Sequence, residues 1–111
     1  MLRWIKAHYE YQQFFKADRM FRTKHFFVPV LRNTEDEFAL GITISKRIGK
    51  AVVRNLLRRR IKAFFRNSGL CLPHGFKINI IARSGGGQQQ WQTISDELCQ
   101  VLISLGGGNS H

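Results

Sequence analysis

Hydrophobic positions along the chain recur with two periods, and the places where the period changes outline a mixed succession of helices and strands. From Lys6 to Lys16, Tyr11, Phe14 and Phe15 fall at the i, i+3, i+4 spacing of one helix face. Met20 and Phe21 carry apolar material into a connector. Three aromatics on one stripe serve either as core or as the wall of a groove where bases and riboses stack. From Lys24 to Arg32 the period drops to two, with Phe26, Val28 and Val30 on one face and Phe27, Pro29 and Leu31 on the other. Pro29 has no N–H to give to a ladder, which predicts an edge strand or a bulge. The polar turn Asn33–Glu37 leads into a second strand, Phe38–Ile44, expected to form a hairpin with the first.

Residues 50–66 return to helical spacing. Leu70–Gly75, with Pro73 and Gly75, is a connecting loop, and Phe76–Ala82 is a third strand, so that strand 38–44, the helix and this strand form a β-α-β unit. Ser84–Gln90 reads as a flexible polar loop; its glycines can form an anion-binding nest, but without a Lys-Ser/Thr partner it is no P-loop. Trp91–Leu105 is an amphipathic helix with Ile94, Leu98, Val101, Leu102 and Leu105 at helical spacing, closed by Gly106–Gly108. The 111 residues suffice for one hydrophobic core. A single domain over 1–111 is expected, its core over residues 6–105 and its tail, 106–111, frayed.

Charge changes this picture from a generic α+β domain to a partner-seeking one. The net charge is +11, while 43% hydrophobic and 12% aromatic residues argue against a disordered basic tail. Glu10, Asp18, Glu35, Asp36 and Glu37 lie early, Asp96 and Glu97 lie late, and nothing acidic stands between Glu37 and Asp96. Lys46 to Arg66 holds nine basic residues and no acid. On a helical wheel at ~100° per residue, Arg54, Asn55, Arg58, Arg59, Lys62 and Arg66 fall within an arc of roughly 140°. Val53, Leu57, Ile61 and Phe64 face the other way, with Val52, Leu56 and Ala63 widening the apolar side and Arg60 snorkelling out of it. Like charges at i, i+4 cost an isolated helix a few tenths of a kcal/mol per pair, so an uncompensated stripe points to a polyanion. Arginine's planar fork suits phosphate. Ser45–Lys50, with Gly49 and the helix start, adds cations and free backbone N–H groups.

The run Gly41–Asn55 (GITISKRIGKAVVRN), followed by Arg58-Arg59, resembles the signature of the bacterial ribonuclease P protein subunit. The flanking aromatic helix, the Phe26-Phe27-Val28 strand, the Ile80–Arg83 strand end and a last helix with Glu97 and Leu98 agree, so the likeness spans residues 8–105. It implies an αβββαβα domain, a two-layer α+β sandwich of the kind seen in the second domain of a small-subunit ribosomal protein, with a left-handed β-α-β crossover. It also implies a role: binding the catalytic RNA and the 5′ leader of precursor tRNA, with cleavage carried by the RNA and the Mg2+ that it requires, and no cofactor bound by a protein motif. On this likeness Lys46, Arg47, Lys50, Arg54, Asn55, Arg58, Arg59, Lys62 and Arg66 meet RNA, and Tyr11, Phe14, Phe15 and Phe27 line the leader cleft. Two positions depart from the family pattern: Leu56 replaces the second arginine of its Arg-Asn-Arg, and Pro29 stands where an aromatic often occurs.

A protein enzyme is the natural rival, and the residues speak against it. His8, His25, His74 and His111 have no metal-ligand spacing, no nucleophile–base pair is suggested, and no paired catalytic carboxylates stand out, so neither a catalytic residue nor a metal site is assigned. A ribosomal or other translation-associated RNA-binding protein fits the charge and not the central motif. A membrane-surface protein would need the helix's apolar face exposed. The start of the sequence shows no secretory h-region, and no apolar run reaches the ~18 residues of a membrane span. A cytoplasmic protein with neither DNA nor membrane partner is expected, Cys71 and Cys99 being reduced, buried hydrophobes.

Overall fold

The computed structural model describes residues 2–17, 19–67 and 72–107. The elements follow in the order β1 (Leu2–Trp4), α1 (His8–Gln13), β2 (Arg19–Arg22), β3 (Phe26–Arg32), β4 (Phe38–Thr43), α2 (Ala51–Asn67), β5 (Phe76–Ala82) and α3 (Trp91–Gly107). Five strands form one sheet in the order β1-β4-β5-β3-β2. Part of the 70–75 loop, including Leu70 and Cys71, lies outside the described residues, as do Asp18 and positions 108–111.

The expected hairpin between β3 and β4 does not form. β5 inserts between them, parallel to β4 (Phe38 opposite Phe76, Thr43 opposite Ile81) and antiparallel to β3. The polar turn that was expected to join a hairpin instead spans the width of a strand. It is tied to the start of β5, with Asn33 N–H donating to the Gly75 carbonyl at 2.8 Å and Gly75 N–H donating to the Glu37 carbonyl at 2.9 Å. The true hairpin neighbour of β3 is β2, antiparallel to it and closed by Thr23, whose hydroxyl accepts Phe26 N–H at 3.1 Å. With β2 outside it, β3 is no edge strand. Pro29 makes no bulge either: the β3–β5 ladder keeps one offset on both sides and is merely interrupted at Val28 and Pro29. The sheet also begins earlier than expected. Leu2–Trp4 pairs in parallel with Phe38–Leu40, and Ile5 is buried.

The period-two pattern of each inner strand sends one face into a large core and the other towards α1. Phe26, Val28 and Val30, then Phe38, Leu40 and Ile42, then Phe76, Ile78, Ile80 and Ala82 pack under α2 and α3. α2 contributes Leu57, Ile61, Phe64 and Phe65, and α3 contributes Ile94, Leu98, Val101 and Leu105. Phe65 stacks tilted on Phe38 at 6.2 Å and edge-on to Phe64 at 5.1 Å. The docking face of α2 is narrower than the wheel implied. Val52 is 70% exposed, and Leu56 and Ala63 are also exposed, because the helix meets the sheet along the line through Leu57 and Ile61, and Phe65 closes the side on which the wheel crowds arginines.

Two further expectations change. Cys99 is exposed on α3 rather than buried. The Ser84–Gln90 segment is no loose loop: it contains a helical turn at Gly86–Gln88, and a Cβ on Gly87 would lie 2.8 Å from Val53 and 2.9 Å from Ile48. Glycine is what lets this backbone close on the start of α2, and Arg60 donates to the Gln89 carbonyl at 3.3 Å from the same side.

On the other face, α1 rests on β4 at its barest point. A Cβ on Gly41 would sit 2.6 Å from the Tyr11 ring. The Tyr11 hydroxyl accepts Ile42 N–H at 3.3 Å and donates to the Ile5 carbonyl at 3.2 Å, continuing the β1–β4 ladder after the main chain has left it. Phe14 joins Ile5 and Ala39 in a small second core. Arg3 grips Glu10 through two bonds of 2.9 and 2.8 Å and Glu37 through one of 2.9 Å, with Lys77 also on Glu10. The guanidinium beside them holds both carboxyls below the usual range, helped by Lys77 at Glu10 and by Asn33 at Glu37. Behind the sheet, buried Glu97 on α3 accepts His25 N–H at 2.8 Å and meets its Nδ1 at 2.6 Å. Burial pushes the Glu97 carboxyl up, but bonds from the His25 and Thr23 side chains and the His25 N–H outweigh it and leave it depressed.

Two outcomes follow for stability. Gly41→Ala should cost about 1–3 kcal/mol in urea unfolding, since the new methyl must displace Tyr11. Glu97 is depressed in the folded state, so its contribution is complete above the unfolded carboxylate value of about 4.3 and disappears as pH falls through the folded value. Urea midpoints of Glu97→Gln should therefore lie below wild type at neutral pH, with the gap closing in acid.

Candidate nucleic-acid interface

Between α1 and the sheet lies a cavity of about 640 Å³. Its walls are Tyr11, Phe14, Phe15 and Met20, its floor is Pro29, Asn79 and Ile81, and Thr43 and Arg58 stand at its far side. The α1 stripe reaches it in an altered form. The helix stops at Gln13 and tightens into a 3-10 turn over Phe14–Lys16. At three residues per turn, i and i+3 eclipse. Phe14 thus stays under Tyr11 and is buried, whereas Phe15 is thrown outward and is 91% exposed at the rim. The core reading fits Phe14, while Phe15 stands at the rim of the cavity and packs in neither core.

Thr43 and Ile81 also line a second hollow of about 390 Å³, with Phe27, Ser45, Arg47 and Arg83. Phe27 sits there under cations rather than bare: Arg83 lies 4.4 Å and Arg22 5.0 Å from its ring centroid. Arg83 is fixed in turn by donating to the Thr23 carbonyl at 2.8 Å. In the other direction, Tyr11, Ile42 and Arg58 border a third hollow of about 280 Å³ with Trp4, Lys6 and Lys62. Lys62 and Arg66 lie 5.5 and 5.6 Å from the Trp4 ring. The three hollows share lining residues and form one trough across the sheet.

The basic residues divide around it. Arg58 lies on the trough, half-buried, and Lys62 and Arg66 lie at its Trp4 end. Arg47 lies at the Phe27 end, with Lys46 and Lys50 exposed beside it. Arg54 turns back to the loop, its Nε donating to the Gly49 carbonyl at 3.1 Å. Asn55 and Arg59 line none of the three hollows and face solvent on the outer side with Val52 and Leu56. Among the described residues, no cation of α2 or of the turn before it pairs with an acid; Arg3, His25, His74 and Lys77 take the ion pairs. Residues absent from the sequence-based set are Met20, Arg22, Thr43, Asn79 and Arg83. Asn79 had a visible signal, a lone amide in the apolar run FKINIIA. No group of three or more potential metal ligands gathers among the described residues, and no helix there is long and apolar enough to cross a membrane.

The Ribonuclease P family model matches residues 3–106. The chain belongs to the ribonuclease P protein family. It is 34% identical over 98 residues to the ribonuclease P protein component of Geotalea uraniireducens, covering 86% of this chain and 84% of that one. With the same component from Geobacter sp. strain M21 it shares 37% over 97 residues, covering 86% and 82%. Among solved structures, the Staphylococcus aureus RNase P protein superposes with a TM-score of 0.83 at 29% identity over 92% of this chain and 94% of that one. The Thermotoga maritima protein gives 0.80 at 26% identity, over 88% and 93%. Family membership makes the chain a component of an endoribonuclease holoenzyme with an RNA partner, and its mixed α+β fold, a five-stranded sheet with three helices, is the family's.

The two phenylalanines on the trough separate packing from surface. Phe14→Ala should cost about 3–5 kcal/mol in chemical unfolding, whereas Phe15→Ala should stay within about 0.5 kcal/mol of wild type.

Proposed function

We propose that this chain is the RNA-binding, non-catalytic subunit of ribonuclease P, holding the catalytic RNA with its basic helix and turn and the 5′ leader of precursor tRNA in the trough. One observation carries this reading: an aromatic, largely apolar trough is flanked by cations that, among the described residues, have no acidic partner. Single-stranded RNA needs both parts, stacking platforms for bases and a positive field for phosphates. Tyr11, Phe14, Phe15 and Met20 supply the wall, with Phe15 the exposed ring. Phe27 with Arg22 and Arg83 supplies a layered cation–ring stack at the other end.

Lys46, Arg47, Lys50, Arg58, Lys62 and Arg66 then track phosphates along or beside the trough. Asn55 and Arg59, on the outer side of α2, are placed to meet a second RNA surface, that of the catalytic RNA. Arg54, held back on the Gly49 carbonyl, orders the turn that presents Lys46 and Arg47. Cleavage of the leader belongs to the RNA and its Mg2+, and the protein's share is to bind and position in the cytoplasm, with neither DNA nor membrane as partner.

Reconstitution with a bacterial catalytic RNA tests this. The protein should stimulate precursor tRNA cleavage at low magnesium and cut nothing alone; cleavage by the RNA-free protein would overturn the assignment. Replacing Arg58 and Arg59 together by glutamate should weaken RNA binding and flatten the slope of log K against log salt by about 0.7–0.9 for each phosphate that is no longer neutralised.

A further inference from the structure

A further hollow lies apart from the trough, at the margin of the sheet where β2 begins. It holds about 390 Å³ and is lined by Lys16, Arg19, Val30, Leu31 and Arg32, none of which borders the trough. A mismatch of strand lengths creates it. β2 starts at Arg19 opposite Val30, whereas β3 runs on to Arg32, so Leu31 and Arg32 have β5 on one side and no strand on the other. Neighbouring residues divide between this notch and the trough: Phe15 and Met20 line the trough, while Lys16 and Arg19 line the notch. The two spaces therefore adjoin.

Three cations meet at the notch, and all three are exposed. Among the described residues, which exclude Asp18, none of them has an acidic partner. Instead, Arg19 lies 5.3 Å from the Phe21 ring centroid and Arg32 lies 5.9 Å from that of Phe76. A ring contact leaves the N–H fork of each guanidinium unspent, and that fork suits phosphate oxygens. Like charges around one hollow repel one another, and a multiply charged anion seated between them turns that repulsion into attraction. The path beyond the notch is closed to a polyanion. The turn directly after Arg32 carries Glu35 and Asp36, both exposed, so a phosphate backbone running on would meet like charge.

We propose that the notch seats the 5′-terminal phosphates of the precursor, the triphosphate with which a primary transcript begins. This rests on the leader-binding reading given above and adds a separate contact, made with the end of the leader and not with its bases. A strand that leaves the trough past Phe15 or Met20 meets Lys16 and Arg19 next. Each internal phosphodiester carries one charge. A terminal phosphate monoester carries about −1.5 to −2 at neutral pH, and a triphosphate carries more. Three converging cations bounded by an acidic turn match that compact, multiply charged group and not a continuing backbone. The notch touches no reacting phosphate, so it acts on affinity. It favours a precursor whose leader crosses the trough, stops there and still has its original 5′ end.

The test uses holoenzyme reconstituted with a bacterial catalytic RNA and precursor tRNAs of graded leader length, each ending in a 5′-triphosphate, a monophosphate or a hydroxyl. Within one narrow range of lengths the triphosphate should lower KM about tenfold relative to the hydroxyl, with kcat unchanged and the monophosphate between them. The gain should shrink as salt rises. Arg19→Gln combined with Arg32→Gln should bring the triphosphate precursor to the KM of the hydroxyl one, while its urea midpoint shows it folded. Lys24→Gln removes an exposed charge at the other end of the β2–β3 hairpin and should keep the gain. Indifference to the 5′ end at every leader length overturns the proposal, as does a gain that is equal at all lengths or survives in the double variant. Loss of the gain in Lys24→Gln overturns it too, since the general field and not the notch would then be at work. So does a double variant that loses affinity for long hydroxyl-ended leaders while the terminal phosphates add nothing, because the notch would then hold internal backbone. Failure of the leader-binding reading looks different: wild-type protein would then not stimulate cleavage of any precursor in the set.

Discussion

Everything on the trough side of the sheet hangs on a ring seated on a bare backbone. α1 has six residues, too few to be stable by itself. It is held over the sheet because Gly41 lets Tyr11 descend to van der Waals contact and because the Tyr11 hydroxyl then satisfies two backbone groups at the end of the β1–β4 ladder. Phe14 and the Arg3–Glu10 clasp secure the two ends of the same short segment. The result is a helix pinned at one margin of the sheet and standing clear of the rest, so that a space remains between Phe15 and Asn79. A larger residue at Gly41 would lift the pin, and the trough would lose its wall.

The electrostatics complete that arrangement by subtraction. Glu10 and Glu37 are drawn into the Arg3 and Lys77 clasp, and Glu97 is buried against His25 behind the sheet. These carboxylates stabilise the fold through groups far from α2 in sequence. The cations from Lys46 to Arg66 keep their field for an outside partner. Their mutual repulsion is tolerable because α2 is bound to the sheet by Leu57, Ile61, Phe64 and Phe65, so tertiary packing and not helix propensity holds it together.

The sequence carried local periods faithfully and long-range placement poorly. The inner strands, the basic helix and the last helix follow from spacing alone. The insertion of β5 between β3 and β4 does not, because no local signal distinguishes a five-residue turn that closes a hairpin from one that bridges an intervening strand. The wheel found two faces on α2 but not the direction in which it docks, so Val52, Leu56 and Ala63 were expected inside and stand outside. Phe15 parted from Phe14 because the helix tightens, which the spacing cannot show. Gly87 was expected in a flexible loop, and only the neighbouring Ile48 and Val53 side chains reveal it as a point of close approach. The residue order around Gly49 and Arg54-Asn55 did what periodicity could not, by resembling one family. It was silent on Asn79 and Thr43, which come together only across the β4–β5 ladder.

β2 gives the molecule a property unrelated to recognition. The sheet is not closed, and its outer strand runs from Arg19 to Arg22 with mostly exposed side chains, including both terminal arginines. An unpaired strand edge is a template on which another copy can add its own strand. Here that edge is four residues long and charged at each end, and the opposite edge, β1, is three residues long. Two like copies approaching edge to edge would set arginine against arginine over a ladder too short to repay the contact. The same arginine that layers on Phe27 thus also makes this edge a poor template for a further strand.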